Sequence, residues 1–151
     1  ILDTFENAFL FSFVSKFDFS VKKQIQNPRK VYCTDLGFVK NVGFSFSEDK
    51  GRVLENIVFL ELQRRKKEVY YFSEKKECDF VLREGAKIKE AIQVSYELTK
   101  ENRDRQVSGL LEALEKFDLR DGLILTSDQE ETFIQDKRIV RVLPVWKWLL
   151  S

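Results

Sequence analysis

Apolar side chains recur at helical spacing in four stretches of the chain. The stripe is clearest where Leu54, Val58 and Leu62 fall on one face, and the basic residues 64–67 follow at the end that a helix dipole makes favourable for cations. The helices that this spacing predicts cover residues 2–14, 51–66, 101–117 and a terminal stretch that begins at Pro144.

Short apolar runs between turn residues predict strands. These runs cover residues 31–33, 69–72, 78–83, 87–96, 122–126, 132–134 and 139–142. Residues 22–30 are polar and contain a proline, which predicts a connector, and residues 43–50 predict a loop. Between them, Thr34 or Asp35 could cap a short helix or turn over residues 36–39.

From residue 51 onward the predicted order is helix, three strands, helix, two strands and helix. A helix between two strands returns the chain to the same sheet as a crossover. Packing helices against a single sheet then buries the apolar faces of both. The sequence therefore predicts an α/β fold with a mixed central β-sheet flanked by α-helices.

The composition is that of one ordinary globular domain. The chain has 151 residues, 43% of them hydrophobic, which is enough to form a core. No run approaches the ~18 apolar residues that a membrane span needs, and the N-terminus lacks a signal-peptide layout, so we expect a cytoplasmic protein with no membrane partner. Because the chain begins at Ile1 and contains no methionine, we expect a piece of a longer protein.

The residue content excludes several kinds of chemistry. Histidine is absent, which excludes Ser-His and Cys-His triads and most zinc sites. Cys33 and Cys78 are far apart without metal-binding spacing, so we expect buried thiols. The formal net charge of +1 is not that of a dedicated nucleic-acid binder, and basic runs such as Lys75-Lys76 are typical of solvated element ends. Any reaction would therefore use carboxylates, lysine, tyrosine or a carboxylate-bound metal.

Three polar residues occupy positions where packing alone would favour apolar ones. Glu55 lies on the apolar stripe of the second predicted helix, while Asp79 and Gln93 lie inside predicted buried strands. Each alone could equally be a hydrogen-bonded buried side chain. If the two strands pair as a hairpin, Asp79 and Gln93 share one face and Glu55 lies over it. Because such oxygen ligands suit Mg²⁺ or Mn²⁺, all three are candidate metal ligands and catalytic residues.

Several sequence blocks resemble a known group of proteins. Residues 51–62 match the helix pattern GxxxENxVxxEL, and residues 69–72 with 77–81 look like a YY…EVDFV block. Residues 92–96 look like an IQVxY strand, and residues 30–37 are similar to a KvYxxDxG motif at the start of the domain. The set resembles the C-terminal domain of archaeal and bacterial AAA-type ATPases, including a group whose C-terminal domain is formally of unknown function.

This resemblance implies a domain arrangement. It covers a domain over residues 28–151, while residues 1–27 look like the tail of a preceding winged-helix segment and a connector. It implies that the partners of this domain include a P-loop module and a winged-helix domain upstream in the same protein, where any ATPase activity would reside. No GxxxxGK[ST] motif occurs in this chain itself.

The resemblance also implies a catalytic pattern. These C-terminal domains are similar in core to PD-(D/E)xK nucleases, which have a restriction endonuclease-like fold with a helix Glu, a strand Asp and a (D/E)xK motif on the next strand. Glu55 matches the helix acid and Asp79 the strand acid, but Gln93 replaces the second acid and Ser95 stands where the lysine should be. Losing one such group typically lowers a rate by ~10²–10³-fold, so we expect weak or absent nuclease activity.

Two more residues, Tyr96 and Arg103, are expected to line the same cleft. Surface packing of the tyrosine and a solvated helix start for the arginine would explain them equally well.

Three functions stay open at this point. The first, which we favour, is an accessory domain of an AAA-type ATPase that binds DNA or a partner and cleaves nothing. The second is an active Mg²⁺-dependent DNA nuclease similar to a resolvase. The third is an oligomerisation or regulatory domain with aromatic contacts, although core packing or a missing winged-helix partner would also explain these aromatic residues. They are Phe5, Phe9, Phe13, Trp146 and Trp148.

Overall fold

The computed structural model of the protein describes residues 10–35, 37 and 50–151. The helices within these residues are α1 (Val21–Gln26), α2 (Lys50–Arg64), α3 (Arg103–Lys116) and α4 (Val145–Leu150). The strands are β1 (Phe11–Ser15), β2 (Arg29–Cys33), β3 (Glu68–Ser73), β4 (Glu77–Glu84), β5 (Lys87–Val94), β6 (Asp121–Thr126), β7 (Glu131–Gln135) and β8 (Arg138–Pro144).

Six strands form one mixed sheet in the order β3-β4-β5-β6-β8-β7. Strands β3, β4 and β5 are an antiparallel meander, β5, β6 and β8 run parallel, and β7 returns antiparallel to β8. The parallel step from β5 to β6 requires a crossover, which α3 provides. The mixed α/β sheet flanked by helices is confirmed. The predicted order is wrong in one respect: it has two strands between the last two helices, whereas the structure has three, because the apolar runs over 122–126, 132–134 and 139–142 each form a strand of their own.

Helices cover both faces of this sheet and create two hydrophobic cores. On one face α3 buries Leu110, and on the other α2 buries Val58 beside Trp148 of α4. Because successive strand residues point to opposite faces, Ile124 of β6 belongs to the α3-side core and Leu125 to the α2-side core.

The described N-terminal segment forms a separate two-stranded sheet that packs on the main one. Strands β1 and β2 pair antiparallel, and Phe17, just after β1, is buried in the α3-side core. The backbone N–H of Phe17 donates to the carbonyl oxygen of Tyr71 in β3 at 2.7 Å. The β1–β2 pairing therefore spans the predicted boundary between residues 27 and 28, and the division into domains stays a prediction.

Two expectations about this segment are wrong. Where the predicted helix over 2–14 falls on described residues, the chain forms β1, because its backbone groups pair with β2 and aromatic residues suit an extended chain. The predicted connector over 22–30 instead holds most of α1 and the start of β2. The part of the predicted helix before residue 10 lies outside the described residues.

Other expectations fall on parts of the chain that the structure does not describe. The short helix over 36–39 and the loop over 43–50 lie outside the described residues, apart from Gly37 and Lys50. Within the described ranges, no helix has both the length and the apolar character that crossing a membrane demands. The cytoplasmic location stays a prediction.

Candidate functional site

A β-bulge determines how Asp79 is presented. In the β3–β4 ladder, Asp79 and Phe80 of β4 both lie opposite the single residue Tyr71 of β3. A bulge breaks the regular alternation of side chains and re-aims one of them. Cys78 and Phe80 accordingly belong to cores on opposite faces, although they are only two positions apart. Asp79 stays buried, with 7% of its surface exposed.

Next to this bulge, hydrogen bonds to side chains replace the backbone hydrogen bonds between β4 and β5. The last residues in register are Phe80 and Ile92. Next to them, the N–H of Asp79 donates to Gln93 Oε1 at 3.1 Å, and the N–H of Val94 donates to Asp79 Oδ2 at 2.9 Å. Both buried backbone donors are therefore satisfied where the two strands diverge.

The remaining carboxylate oxygen of Asp79 contacts a lysine from β2. Lys30 Nζ lies 3.1 Å from Asp79 Oδ1, 3.2 Å from Glu55 Oε1 and 2.7 Å from Glu77 Oε1. Burial alone would lower the pKa of Lys30, but the three carboxylates outweigh burial and raise that pKa above its ordinary value. Lys30 is therefore a charged ammonium at the centre of the acids. We call these four residues the Lys30 cluster.

The surroundings of the cluster control the protonation of its members. The pKa of Asp79 is raised to about 6, first by burial and then by the charge of Glu55, while Lys30 opposes the shift. Tyr32 donates its hydroxyl to Glu55 Oε1 at 2.6 Å, and its ring stacks on Phe59 with 4.4 Å between centroids. Burial and then Glu55 raise the pKa of Tyr32 above its ordinary value, so the phenol stays a donor.

Asn56 fixes α2 to β2. Its Oδ1 accepts the N–H of Cys33 at 2.9 Å, and its Nδ2 donates to the carbonyl oxygen of Cys33 at 2.8 Å. The carboxamide thus pairs with Cys33 as a neighbouring strand would. Because Asn56 follows Glu55 in α2, this pair holds β2 where Lys30 can reach the acid.

Gln93 lies beside Asp79 but is held by α3. Its Nε2 donates to Gln106 Oε1 at 2.6 Å, and its Oε1 already accepts the N–H of Asp79. Helix α3 lies this close to β4 because Gly109 has no side chain: a Cβ there would lie 2.1 Å from the carbonyl oxygen of Glu77. Glu55, Asp79 and Gln93 line one open cleft, as expected. Within it the two strand residues point to different neighbours, Asp79 to Lys30 and Gln93 to Gln106.

An open cleft beside the cluster has four basic residues in its lining, which we call the basic rim: Arg52, Lys75, Lys76 and Arg105. The side chains of Lys75, Lys76 and Arg105 have no ion-pair partner among the residues that the structure describes. The turn that carries the two lysines is fixed, because their backbone N–H groups donate to the Glu112 carboxylate of α3 at 2.8 and 3.1 Å. The cleft therefore combines an acidic centre, in which Asp79 is buried, with a basic border.

Ser95 and Tyr96 line this cleft as well. The Ser95 hydroxyl donates to the carbonyl oxygen of Glu97 at 2.9 Å, so it supplies no charge in place of a lysine. The ring of Tyr96 is exposed, and Lys50 Nζ lies over it at 5.1 Å from the centroid.

Arg103 lies away from the cleft lining, which corrects the expectation placed on it. Its guanidinium pairs with Glu131 of β7 at 2.6 Å and lies over the ring of Phe133. The reason is its place in the first turn of α3, where it reaches the strand β7 rather than the end of β5.

The aromatic residues considered as contacts differ in exposure. Trp148 is buried in the α2-side core with Arg65 over its ring, whereas Trp146 is exposed. Phe13 of β1 is partly buried beneath Arg29, and residues 5 and 9 lie outside the described part of the chain.

The side chains as arranged do not fit a divalent metal ion. Glu55 and Asp79 offer the oxygen atoms that such an ion prefers, but the Lys30 ammonium lies within 3.2 Å of both. The oxygen of Gln93 is used by a backbone donor. Across residues 10–35, 37 and 50–151, no group of three or more His, Cys, Asp or Glu side chains is suited to holding a metal.

Sequence reasoning missed Lys30, Tyr32 and Gln106. Tyr32 was in the predicted strand over 31–33, but Lys30 was assigned to the connector, so the face that they share on β2 was not visible. A lysine beside a strand start is also ordinarily solvated. Gln106 lies on a helix without any pattern that distinguishes it from a surface residue.

Comparisons with known proteins connect this fold to one family. The model of the family described as "Domain of unknown function (DUF4143)" matches residues 50–148, which include α2 and the six-stranded sheet. The uncharacterized protein MJ1544 of Methanocaldococcus jannaschii is 34% identical over 161 residues, covering 99% of this chain and 35% of that protein. An uncharacterized protein of Haemophilus influenzae is 30% identical over 151 residues, covering 99% and 36%.

The chain thus spans about a third of the length of these curated relatives. No solved structure matches it. The resemblance to a group whose domain is formally of unknown function agrees with the family description. Because the family model covers well over half of the residues, the chain belongs to the DUF4143 family.

Proposed function

We propose that this chain is a nuclease-derived accessory domain that binds DNA in the cleft beside Asp79 and cleaves it weakly or not at all. The observation that carries the proposal is the position of Lys30 between Glu55 and Asp79, the two acids that match the nuclease pattern. The basic rim borders the cleft, and Lys30 is the counter-ion of the acids at its centre.

The order of elements supports a restriction endonuclease-like core. Helix α2 carries Glu55, the meander β3–β5 carries Asp79 and Gln93, and α3 leads to the parallel strand β6. This is the order of helix acid, strand acid and next-strand motif that the resemblance implies.

The basic rim supports DNA binding. Lysine and arginine side chains that line one groove attract phosphates, and the fixed β3–β4 turn presents Lys75 and Lys76 without a large loss of backbone freedom. Because the net charge of the chain is only +1, binding would depend on this local border rather than on the overall field.

The Lys30 cluster supports weak or absent cleavage. Mg²⁺ or Mn²⁺ would have to displace an ammonium that lies within 3.2 Å of both matching acids, and Ser95 supplies no cation for a developing phosphate charge. We therefore assign the domain a binding role without a resident metal.

We also propose that the domain works within a longer AAA-type ATPase. The relatives extend to about three times the matched length, which leaves room for a P-loop module and a winged-helix domain. Energy-dependent steps would then belong to those upstream domains.

The test is to incubate the protein with labelled single-stranded, double-stranded and branched DNA in Mg²⁺ or Mn²⁺, and to score binding and cleavage in the same samples. We expect a complex that weakens with salt and no more product than the Asp79→Asn variant gives. Absence of any complex at low salt would reject DNA binding and favour a regulatory or oligomerisation role. Cleavage that disappears in Asp79→Asn would favour an active nuclease.

A further inference from the structure

Tyr96 presents an aromatic ring in an otherwise polar cleft. The exposed aromatic residues of the described part of the chain are Phe19, Tyr96 and Trp146, and of these Tyr96 lines the cleft. Its surface is 40% exposed, although the neighbouring Ser95 is buried. A large ring in contact with water beside a basic border is a feature that core packing does not explain.

The backbone around this ring is rigid. The carbonyl oxygen of Tyr96 accepts the N–H of Ser127 at 2.9 Å. Leu98, two positions after Tyr96, is fixed as well. Its N–H donates to Gln129 Oε1 at 2.6 Å, and its carbonyl oxygen accepts from Gln129 Nε2 at 3.1 Å. The backbone that carries the ring is therefore held by residues just after β6, and a ligand that stacks on the ring would order little additional chain.

Basic side chains lie near the Tyr96 ring. Lys50 lies over the ring at 5.1 Å from its centroid, and the cleft that contains the ring also contains Lys75, Lys76 and Arg105. An aromatic platform next to cations suits a ligand with alternating flat bases and phosphates. Single strands expose the faces of their bases, whereas a duplex hides them within the stack.

We propose that the cleft prefers single-stranded over double-stranded DNA, with Tyr96 stacking on a base and the basic rim contacting phosphates. This inference rests on the proposed DNA-binding function and names the class of nucleic acid that the site takes. Tyr96 is a binding residue here, and no reaction is assigned to it.

The experiment measures the dissociation constants of short oligo(dT) and of the matching duplex by fluorescence anisotropy. The variants are Tyr96→Leu, which removes the ring, and Tyr96→Phe, which keeps it. Trp146→Leu is a matched control, because Trp146 is also an exposed aromatic with a lysine over its ring, at 5.6 Å, but lies in α4 outside the cleft lining.

The expected result is tighter binding of oligo(dT) than of duplex, a roughly tenfold or greater loss for oligo(dT) in Tyr96→Leu, and near wild-type binding in Tyr96→Phe and Trp146→Leu. Unchanged oligo(dT) binding in a folded Tyr96→Leu protein, or equal binding of duplex, overturns this inference and leaves the proposed function standing. Failure of the wild-type protein to bind either DNA overturns both.

Discussion

Lys30 of β2 and Asp79 of β4 meet in an ammonium–carboxylate contact of 3.1 Å. The two residues are 49 positions apart and belong to different sheets. One contact therefore joins the two-stranded sheet to the central sheet at the candidate site, and it also sets the charge balance there. Several consequences of this arrangement are open to measurement.

Removing the ammonium should destabilise the protein. Lys30→Met keeps an unbranched side chain but leaves Glu55, Glu77 and Asp79 without their cation. Losing one member of a buried ion pair costs about 3–5 kcal/mol, and partial exposure of Lys30 reduces this to about 2–3 kcal/mol. Urea unfolding at neutral pH measures the change.

Lys22→Met is the control for that variant, because Lys22 is an exposed residue of α1. It should change the free energy of unfolding by less than about 0.5 kcal/mol. Equal stability of Lys30→Met and the wild type would mean that the cluster contributes nothing to the fold.

The Asp79 carboxyl should make stability depend on pH. Its pKa is raised to about 6 in the folded protein from an ordinary value of 3.8, so the folded state keeps the proton to higher pH than the unfolded chain. The stabilisation is thus fully present below about pH 4 and is lost as the pH rises through about 6. Each pKa unit corresponds to ~1.4 kcal/mol, which gives a loss on the order of 3 kcal/mol.

Asp79→Asn isolates this effect, since the amide keeps an oxygen for the N–H of Val94 but does not titrate in this range. The difference between the unfolding free energies of wild type and variant should fall between about pH 4 and 6.5. A difference that is constant or rises over that interval contradicts the assignment.

Gly109 should tolerate no side chain. The Cβ of Gly109→Ala would lie 2.1 Å from the carbonyl oxygen of Glu77, so α3 and β4 must separate, at a cost of about 2–3 kcal/mol. Gly51→Ala is a helix control with open space around the new methyl group, and it should stabilise the protein by about 0.5–1 kcal/mol. Thermal unfolding of both variants checks the opposite signs; a neutral Gly109→Ala would show that the close approach is wrong.

Asn56 should contribute through its two backbone hydrogen bonds. Asn56→Ala leaves the N–H and carbonyl of Cys33 unpaired, which costs about 1–3 kcal/mol. Gln63→Ala on the same helix removes an exposed amide that donates to Ser12, and it should cost less than about 0.5 kcal/mol. Similar denaturation midpoints for the two variants would show that Asn56 does not hold β2 to α2.

The central sheet was predictable from sequence because its elements have strong periodicity and clear turns. The first strand was not, because the apolar spacing before residue 14 fits a helix by itself, and the pairing with β2 that makes it a strand joins distant parts of the chain. Such tertiary pairing overrides a local pattern.

The candidate site was predictable only in part, for a related reason. Glu55 and Asp79 stood out because each interrupts an apolar pattern. Their contact with Lys30 could not be predicted, since nothing in the sequence distinguishes a lysine that contacts acids from one that is solvated. The direction of Asp79 depends on a bulge in β4, and no residue type in that strand predicts the bulge.

The most direct test is the salt dependence of oligo(dT) binding by a Lys75→Glu, Lys76→Glu double variant and by a Lys22→Glu, Lys23→Glu control with the same change in charge. The cleft variant should bind at least about tenfold more weakly, and its plot of log affinity against log salt should be shallower by ~0.7 for each phosphate that the two lysines no longer neutralise. The control pair, on the exposed helix α1, should keep nearly the wild-type slope. Equal weakening in the two variants, or none in either, would contradict a DNA-binding cleft at the Lys30 cluster.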